Sequence, residues 1–369
     1  MVRSNSWRPS TFLPIAAVTG IGSLPFISPV EAIEAVAACS PEIPFWPQLP
    51  ARSRHEDIVG QALGVLSGFL EPRNEGYGYR VADGAIDKVV AALHGSTGEL
   101  TLRNAAGFSA FNHALSTGLY PSAVAVKGQI EGPITLSAYL FHKGRPFLSD
   151  PALFAAVAFH ISQIVRWQIE RLQSAELPVL LFIDEPALCL EVSSGALDAL
   201  AAILETARLR GAYAGLHCCA ANPFSRMCRV RPDILSFDAH QGLELFFSHP
   251  DALAFAKSGG IVAYGLIPTL RDLAAVRAEQ IFTRWLTLAS LAGDPEDFAR
   301  NAMITATCGL GLLNPATVAQ SFATARTVSH LIAAVSKRGQ TLFPAQVELP
   351  QLGAAAQAAL TQTNSNDFE

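Results

Sequence analysis

The chain has 369 residues, of which 50% are hydrophobic and 15% are charged, and its formal net charge is -5. This length and apolar content suit one large α/β domain or two ordinary ones, and they exclude a disordered chain. Because the acidic excess is scattered and no basic surface is indicated, we expect no nucleic-acid partner.

The cysteines and the apolar runs indicate a cytoplasmic protein. Six cysteines in so long a chain are too few and too unevenly spaced for a disulfide framework, which is typical of a reduced protein with free thiols. No stretch approaches about 18 uninterrupted apolar residues, so we expect no membrane span and no membrane partner.

Eight short apolar runs alternate with helix-length segments along the chain. The turn-rich stretch 71–120 is interpreted as an insertion after the second strand-helix unit. The alternation predicts a (β/α)8 TIM barrel over residues 11–345, followed by a C-terminal tail over 346–369. A doubly wound open sheet is the alternative. The predicted strands are residues 15–19, 43–46, 123–127, 179–183, 212–216, 233–237, 260–264 and 302–306.

Glycines follow the first predicted strand, in Gly20-Ile21-Gly22-Ser23. Their backbone N–H groups could hold a substrate carboxylate in an anion-binding nest. Glycines at a strand end are also ordinary turn formers, so this motif alone is weak. It is not a dinucleotide-binding fingerprint, which needs a third glycine that opens a helix.

Two acids, Asp184 and Glu185, follow the most apolar predicted strand. A carboxylate at this position suits recognition of a substrate amine or a general-base role. Either acid could instead cap the next helix or pair with an arginine.

The fifth predicted strand ends in His217-Cys218-Cys219, and the eighth ends near Cys308. Alternate residues of a strand share a face, so His217 and Cys219 offer an imidazole and a thiolate on one side. Cys308 would complete three protein ligands with an open fourth position, the arrangement of a catalytic zinc. Taken singly, each residue is more often part of a core. As a set at strand ends they favour zinc and a barrel, which collects its site on one face.

A further group could come from Asp238 at the sixth strand end. It could ligate the metal or orient His217, and its ordinary interpretation is a helix N-cap. The remaining cysteines have no partner at ligand spacing and are interpreted as structural; they are Cys39, Cys189, Cys218 and Cys228.

Several motifs, in the same order, resemble the catalytic half of cobalamin-independent methionine synthase, within the superfamily that also holds uroporphyrinogen decarboxylase. The resemblance covers residues 19–313, and its zinc motifs are His217-x-Cys219 and Cys308-Gly309, with Asp238 at the place of the family's glutamate ligand. The full-length enzymes carry an extra N-terminal barrel, so we expect a single-barrel form. The other motifs are Gly22-Ser23-Leu24-Pro25, Gly132-Pro133-Ile134-Thr135 and Asp184-Glu185-Pro186-Ala187-Leu188.

The resemblance implies a thiol methyltransferase. Zinc would hold the thiol of homocysteine, or of another small-molecule thiol, as the nucleophile that attacks an activated methyl group. The loop of Ile21, Gly22 and Ser23 would bind the substrate carboxylate. Asp184 would bind its ammonium, with Glu185 beside it in the same motif.

Two departures from the family pattern bear on substrate and donor. Gly60 stands where the family has a glutamate, and residues 265–269 lack the family's histidine. The methyl donor is therefore either methyl-folate or a methylated corrinoid on a partner protein. Two other functions stay open: a non-catalytic accessory protein that binds zinc or a corrinoid, and a uroporphyrinogen decarboxylase-like lyase with Arg52 and Arg54 at its mouth.

Overall fold

The computed structural model describes residues 12–336; residue 11, the predicted barrel end at 337–345 and the tail at 346–369 lie outside the described residues. The strands are β1 (Ala17–Val18), β2 (Leu70–Pro72), β3 (Tyr79–Val81), β4 (Val126–Glu131), β5 (Leu140–His142), β6 (Arg145–Pro146), β7 (Val179–Asp184), β8 (Ala212–Cys218), β9 (Ile234–Phe237), β10 (Ile261–Ile267) and β11 (Ala302–Ala306). The helices are α1 (Pro29–Cys39), α2 (Ile86–His94), α3 (Ala106–Ser116), α4 (Pro133–Tyr139), α5 (Pro151–Leu172), α6 (Ser194–Leu209), α7 (Phe224–Arg229), α8 (Ala239–Ser248), α9 (Pro250–Lys257), α10 (Ala278–Ala292), α11 (Pro295–Arg300) and α12 (Pro315–Ala333).

The main sheet has seven parallel strands in the order β1-β11-β10-β9-β8-β7-β4. Helices follow most of its strands and cover one face, and side chains fill the other, so most strands are largely apolar; every residue of β7 is buried. The predicted α/β class with a parallel sheet is confirmed. Six of the seven runs that form these strands keep their predicted position closely, whereas β4 extends from Val126 to Glu131, beyond the predicted end at residue 127.

The second predicted strand, residues 43–46, makes single bridges instead of a regular strand. On one side, Lys127 donates its N–H to the Pro44 carbonyl at 2.9 Å. On the other side, the Thr19 hydroxyl donates to the Ile43 carbonyl at 2.9 Å, and the Gln48 N–H donates to the Gly22 carbonyl at 3.1 Å. One short segment thus reaches both edges of the sheet, so the sheet curls round. A closed eight-stranded barrel stays a prediction.

A small second sheet, in the order β2-β3-β5-β6, lies outside the main one. Its strands come from residues 70–81 and 140–146, on both sides of β4 in the chain. Within the predicted insertion at 71–120 the structure has most of β2, all of β3, and helices α2 and α3.

The interior of the curled sheet is apolar towards the amino-terminal ends of its strands. A buried cluster there joins residues from successive strands, including Leu180, Phe182, Ile234 and Met303, with Ile43 of the bridging segment. The opposite faces of the same strands pack on the helices in a much larger cluster. Layers of side chains therefore fill the space inside the sheet, as in a packed core and not a pore.

Helix α5 is the longest helix and begins with a strong cap. Asp150 accepts hydrogen bonds from the N–H groups of Ala152 and Leu153, and Pro151 takes the first helical position. By length and composition the stretch Pro151–Ala175 could cross a membrane, but 56% of its most apolar window is buried within the protein. Its buried face carries His160, whose ring nitrogens contact the Ser96 hydroxyl at 2.6 Å and the Ala62 carbonyl at 2.7 Å.

Candidate metal and substrate site

Four polar residues form one row across four neighbouring strands, at or near their carboxyl ends. Glu131 of β4 lies opposite Asp184 of β7, Asp184 opposite His217 of β8, and His217 opposite Ser236 of β9. In-register residues of neighbouring parallel strands point to the same face, with about 4.8 Å between strands. All four are buried, with at most 3% of any one exposed. We call this set the polar row; it lies above the apolar interior cluster.

The structure brings His217, Cys219 and Cys308 together at one end of the polar row. Cys219 lies one residue past β8, and its Sγ is 3.9 Å from the Sγ of Cys308, which follows β11. Hydrogen bonding with Cys219 and then the proximity of the His217 ring lower the pKa of the Cys308 thiol. The pKa of Cys219 is raised, chiefly by its hydrogen bond with Cys308 and then by burial.

These three residues fit a zinc ion by their chemistry, and the two cysteines also by the spacing of their sulfurs. Two sulfurs on one tetrahedral zinc, each about 2.3 Å from the metal, stand about 3.8 Å apart. The Nε2 atom of His217 is buried and has no hydrogen-bond partner among residues 12–336, which leaves its lone pair for a ligand. As the side chains are placed, no group of three or more His, Cys, Asp or Glu within the described chain has metal-binding geometry. The fit is therefore that of a donor set, not of a formed coordination sphere.

Ser236 occupies the position beside His217 that the sequence suggested for Asp238. Its Oγ lies 2.9 Å from His217 Nδ1, and Ser236 is fully buried. A proton on Nδ1 donated to this hydroxyl leaves Nε2 unprotonated, the form that binds metal. Asp238 is half-buried and accepts a hydrogen bond from the Gln241 N–H at 3.0 Å, so it is the N-cap of α8.

Asp184 shares the interior with a buried cation. Burial raises the pKa of Asp184 to about 6, against the opposing effects of His217 and Lys127. Lys127 donates to the Ile21 carbonyl at 2.6 Å and to Gln129 Oε1 at 3.0 Å, and its Nζ lies 4.7 Å from the centre of the Phe182 ring. Burial lowers the pKa of Lys127 to about 8. Asp184 Oδ1 has no hydrogen-bond partner in the described part of the chain.

Glu185 points away from Asp184 and caps helix α4. Its carboxylate accepts hydrogen bonds from the N–H of Ile134 at 2.9 Å, from the N–H of Thr135 at 2.8 Å and from the Thr135 hydroxyl at 2.6 Å. The fit depends on Gly132, since a Cβ there would lie 2.1 Å from Glu185 Oε1. Burial nevertheless raises the pKa of Glu185 to about 7.

Three successive carbonyls of the glycine loop after β1, residues 20–23, accept hydrogen bonds from other parts of the protein. The carbonyl of Ile21 accepts from Lys127, that of Gly22 from the Gln48 N–H, and that of Ser23 from the Leu310 N–H at 2.9 Å. Carbonyls engaged in this way leave the N–H groups of the loop for another partner. The Leu310 contact also places the loop beside Gly309, and hence near Cys308.

Sequence reasoning gave no role to Glu131, Lys127 or Ser236. The signal was present for the first two: Lys127, Gln129 and Glu131 are polar at every second position, the spacing of one strand face. The predicted strand ended at residue 127, so the polar half was treated as a loop. Ser236 is a single small residue within an apolar run, and no pattern marks it.

The other candidate residues make contacts outside the polar row. Arg52 pairs with Glu56 at 3.1 Å, and the Arg54 guanidinium lies 5.5 Å from the centre of the Tyr79 ring. In the stretch 265–269, Thr269 contacts Thr307 through its hydroxyl at 3.0 Å. A cavity of about 790 Å³ opens at the other end of the sheet, beside Tyr213 and Asp233 where strands begin, which is not where such sheets carry their sites.

No protein-family model matches the sequence, and no curated protein matches it at a significant level. Solved structures that are similar to this chain include two methyltransferases. A B12-independent methionine synthase from Shewanella sp. W3-18-1, in complex with selenomethionine, is 16% identical over 60% of this chain and 67% of that chain, with a TM-score of 0.44. A methyltransferase from Methanosarcina mazei is 14% identical over 86% of this chain and 94% of that chain, with a TM-score of 0.49. Similarity at this level does not by itself assign a family or an activity to the chain.

Proposed function

We propose that this chain is a zinc-dependent methyltransferase that transfers a methyl group to a small-molecule thiol such as homocysteine. The proposal rests on one observation, the close approach of His217, Cys219 and Cys308. Cys219 and Cys308 follow two different strands and are 89 residues apart in the chain. Two cysteines and one histidine with a free Nε2 are a donor set that zinc prefers. They leave a fourth position for substrate.

Zinc bound there would act as a Lewis acid that lowers the pKa of a substrate thiol and so supplies a nucleophile at neutral pH. The chain's own groups fix the geometry of this reaction. Ser236 holds the His217 ring in the tautomer whose Nε2 is free. The apolar interior cluster fills the inside of the sheet on the amino-terminal side of the site and excludes water from that side.

Substrate would be positioned by groups on two sides of the thiol. The N–H groups of Ile21, Gly22 and Ser23 would bind a carboxylate, because the carbonyls of that loop are already engaged. Asp184, one strand away from His217, would bind an ammonium group. Holding the nucleophile at three points reduces the entropy loss at the reacting centre.

Three finer expectations belong to the same proposal. We infer that residues 43–48 close the sheet into a (β/α)8 barrel, because they bond to both of its edges. We infer membership in the cobalamin-independent methionine synthase family and a role in methionine biosynthesis in the cytoplasm. The methyl donor is methyl-folate or a methyl-corrinoid protein, since residues 265–269 offer no histidine.

The test is metal content together with activity. Zinc is measured in purified wild type, Cys219→Ser, Cys308→Ser and the control Cys189→Ser, whose exposed thiol donates to the Pro186 carbonyl. We expect one zinc per chain in wild type and control, and loss of zinc in the other two. Homocysteine methylation is assayed with each donor.

The outcomes separate the alternatives. Wild-type protein without zinc after reconstitution would overturn the metal site. Zinc binding without methyl transfer from either donor, together with binding of a methyl-corrinoid protein, would support the accessory function instead. Equal zinc loss in all three variants would show that the cysteines act through folding, which circular dichroism would detect.

A further inference from the structure

Glu131 is a fully buried carboxylate at the far end of the polar row from Ser236. Neither Oε1 nor Oε2 has a hydrogen-bond partner among the residues that the structure describes. A buried acid with two unsatisfied oxygens is costly, and most buried polar groups in proteins are paired. The side chain shares the inner face of β4 with Gln129 and Lys127, two and four residues earlier. It therefore points into the site, not into the helix layer.

The neighbours of Glu131 do not compensate it. Thr135 is adjacent, but its single hydroxyl proton goes to Glu185 at 2.6 Å. Lys127 donates to the Ile21 carbonyl and to Gln129. The other charges that act on Glu131 are all carboxylates, those of Glu185, Asp184 and Asp57. Burial, and then these neighbouring carboxylates, raise the pKa of Glu131 well above its ordinary value, and this part of the site has a shortage of hydrogen-bond donors.

The unsatisfied acceptors match one kind of group. Glu131 contributes two free oxygens and Asp184 contributes Oδ1, which makes three acceptors from two in-register neighbours. A primary ammonium has three N–H donors and no acceptor, whereas a quaternary ammonium has no donor. A guanidinium has five donors in a rigid plane and would leave donors unpaired.

We infer that Glu131 and Asp184 together bind a primary ammonium group of the thiol substrate, and that Glu131 determines specificity for it. The inference rests on the proposed function. Asp184 lies one strand from His217 and Glu131 lies two strands away, so the ammonium is held about 5–10 Å from the metal ligands. A short aliphatic chain between thiol and amine spans that distance.

The test measures binding, not turnover. Isothermal titration of zinc-loaded wild type, Glu131→Gln and the control Glu56→Gln is carried out with homocysteine and with 4-mercaptobutyrate, which keeps the thiol and carboxylate but lacks the amine. Glu56 is a buried carboxylate outside the polar row, paired with Arg52. We expect Glu131→Gln to weaken homocysteine binding about 10- to 100-fold, because a hydrogen bond to a charged group is lost.

The same substitution should leave 4-mercaptobutyrate binding within about threefold. Glu56→Gln should change the binding of neither ligand, because of these two glutamates only Glu131 faces the amine. Equal weakening of both ligands by Glu131→Gln, or of neither, would overturn the inference and leave the proposed function standing. Failure of both thiols to bind wild type would overturn the proposed function and this inference with it. If Glu131→Gln does not fold, wild type alone decides: equal affinity for the two thiols contradicts an ammonium site.

Discussion

Replacing Ser236 with alanine should weaken zinc binding without unfolding the protein. The Ser236 hydroxyl contacts His217 Nδ1 at 2.9 Å in a fully buried setting. A proton on Nδ1 donated to this hydroxyl would leave Nε2 free to bind the metal. Outer partners of metal-bound histidines are worth about 10- to 100-fold in metal affinity. A neutral buried hydrogen bond contributes about 1 kcal/mol, near the lower end of that range. We therefore expect a loss of about tenfold for Ser236→Ala.

The assay is competition for zinc with a chromophoric chelator at neutral pH, alongside urea unfolding of the metal-free proteins. Ser321→Ala is the matched control, because Ser321 is a buried serine whose hydroxyl donates to the Thr317 carbonyl at 2.9 Å within helix α12. Both variants should lose about 1 kcal/mol of stability, since each loses one hydrogen bond. Only Ser236→Ala should lose zinc affinity. Unchanged affinity in Ser236→Ala, or an equal loss in the control, would refute this reasoning.

Burial lowers the pKa of His160 to about 4, below its unfolded value of 6.5, so the unfolded chain binds more protons between these values. Relative to His160→Gln, wild type should lose about 3 kcal/mol of unfolding free energy from pH 6.5 to pH 4. Urea titration at each pH measures this free energy. Parallel curves of unfolding free energy against pH for the two proteins would contradict the expectation. Gly132→Ala places a Cβ 2.1 Å from Glu185 Oε1 and displaces the Glu185 cap, so it should destabilise the fold by about 2–4 kcal/mol. An unchanged urea midpoint would contradict this expectation. Phenylarsine oxide bridges two close thiols, and the Cys219 and Cys308 sulfurs lie 3.9 Å apart. The reagent should therefore bind metal-free wild type once per chain and should not bind Cys308→Ser, as measured by mass spectrometry. Equal uptake by the variant would exclude the pairing of these two thiols.

The fold class was predictable because its signal is repeated. Parallel strands buried on both faces are continuous apolar runs, and several such runs separated by helix-length segments leave few other architectures. The second run, residues 43–46, contains Pro44 and is followed by Pro47, each without an N–H donor, so only single bridges form there. Sequence alone cannot show how far two edges of a sheet have curled towards each other.

The candidate site was predictable only where rare residue types mark it. Histidine and cysteine at strand ends are unusual, so His217, Cys219 and Cys308 could be singled out, and the structure brings them together. Glu131 stands out because neither of its carboxylate oxygens has a hydrogen-bond partner within residues 12–336. No local sequence pattern encodes the lack of such partners. Ser236 matters only through its register with His217, and register is a property of the sheet.

The carboxylates of Asp184 and Glu185 are neighbours in the chain but belong to different parts of the molecule. Glu185 ties the end of β7 to the first turn of α4, and this cap fixes the backbone directly beside Asp184. Because that backbone is already held, Asp184 loses little further freedom when a ligand arrives. The two positions therefore differ in how they tolerate change. Substrate preference could evolve by substitution at Asp184 while the fold persists, whereas a substitution at Glu185 would first have to replace a helix cap.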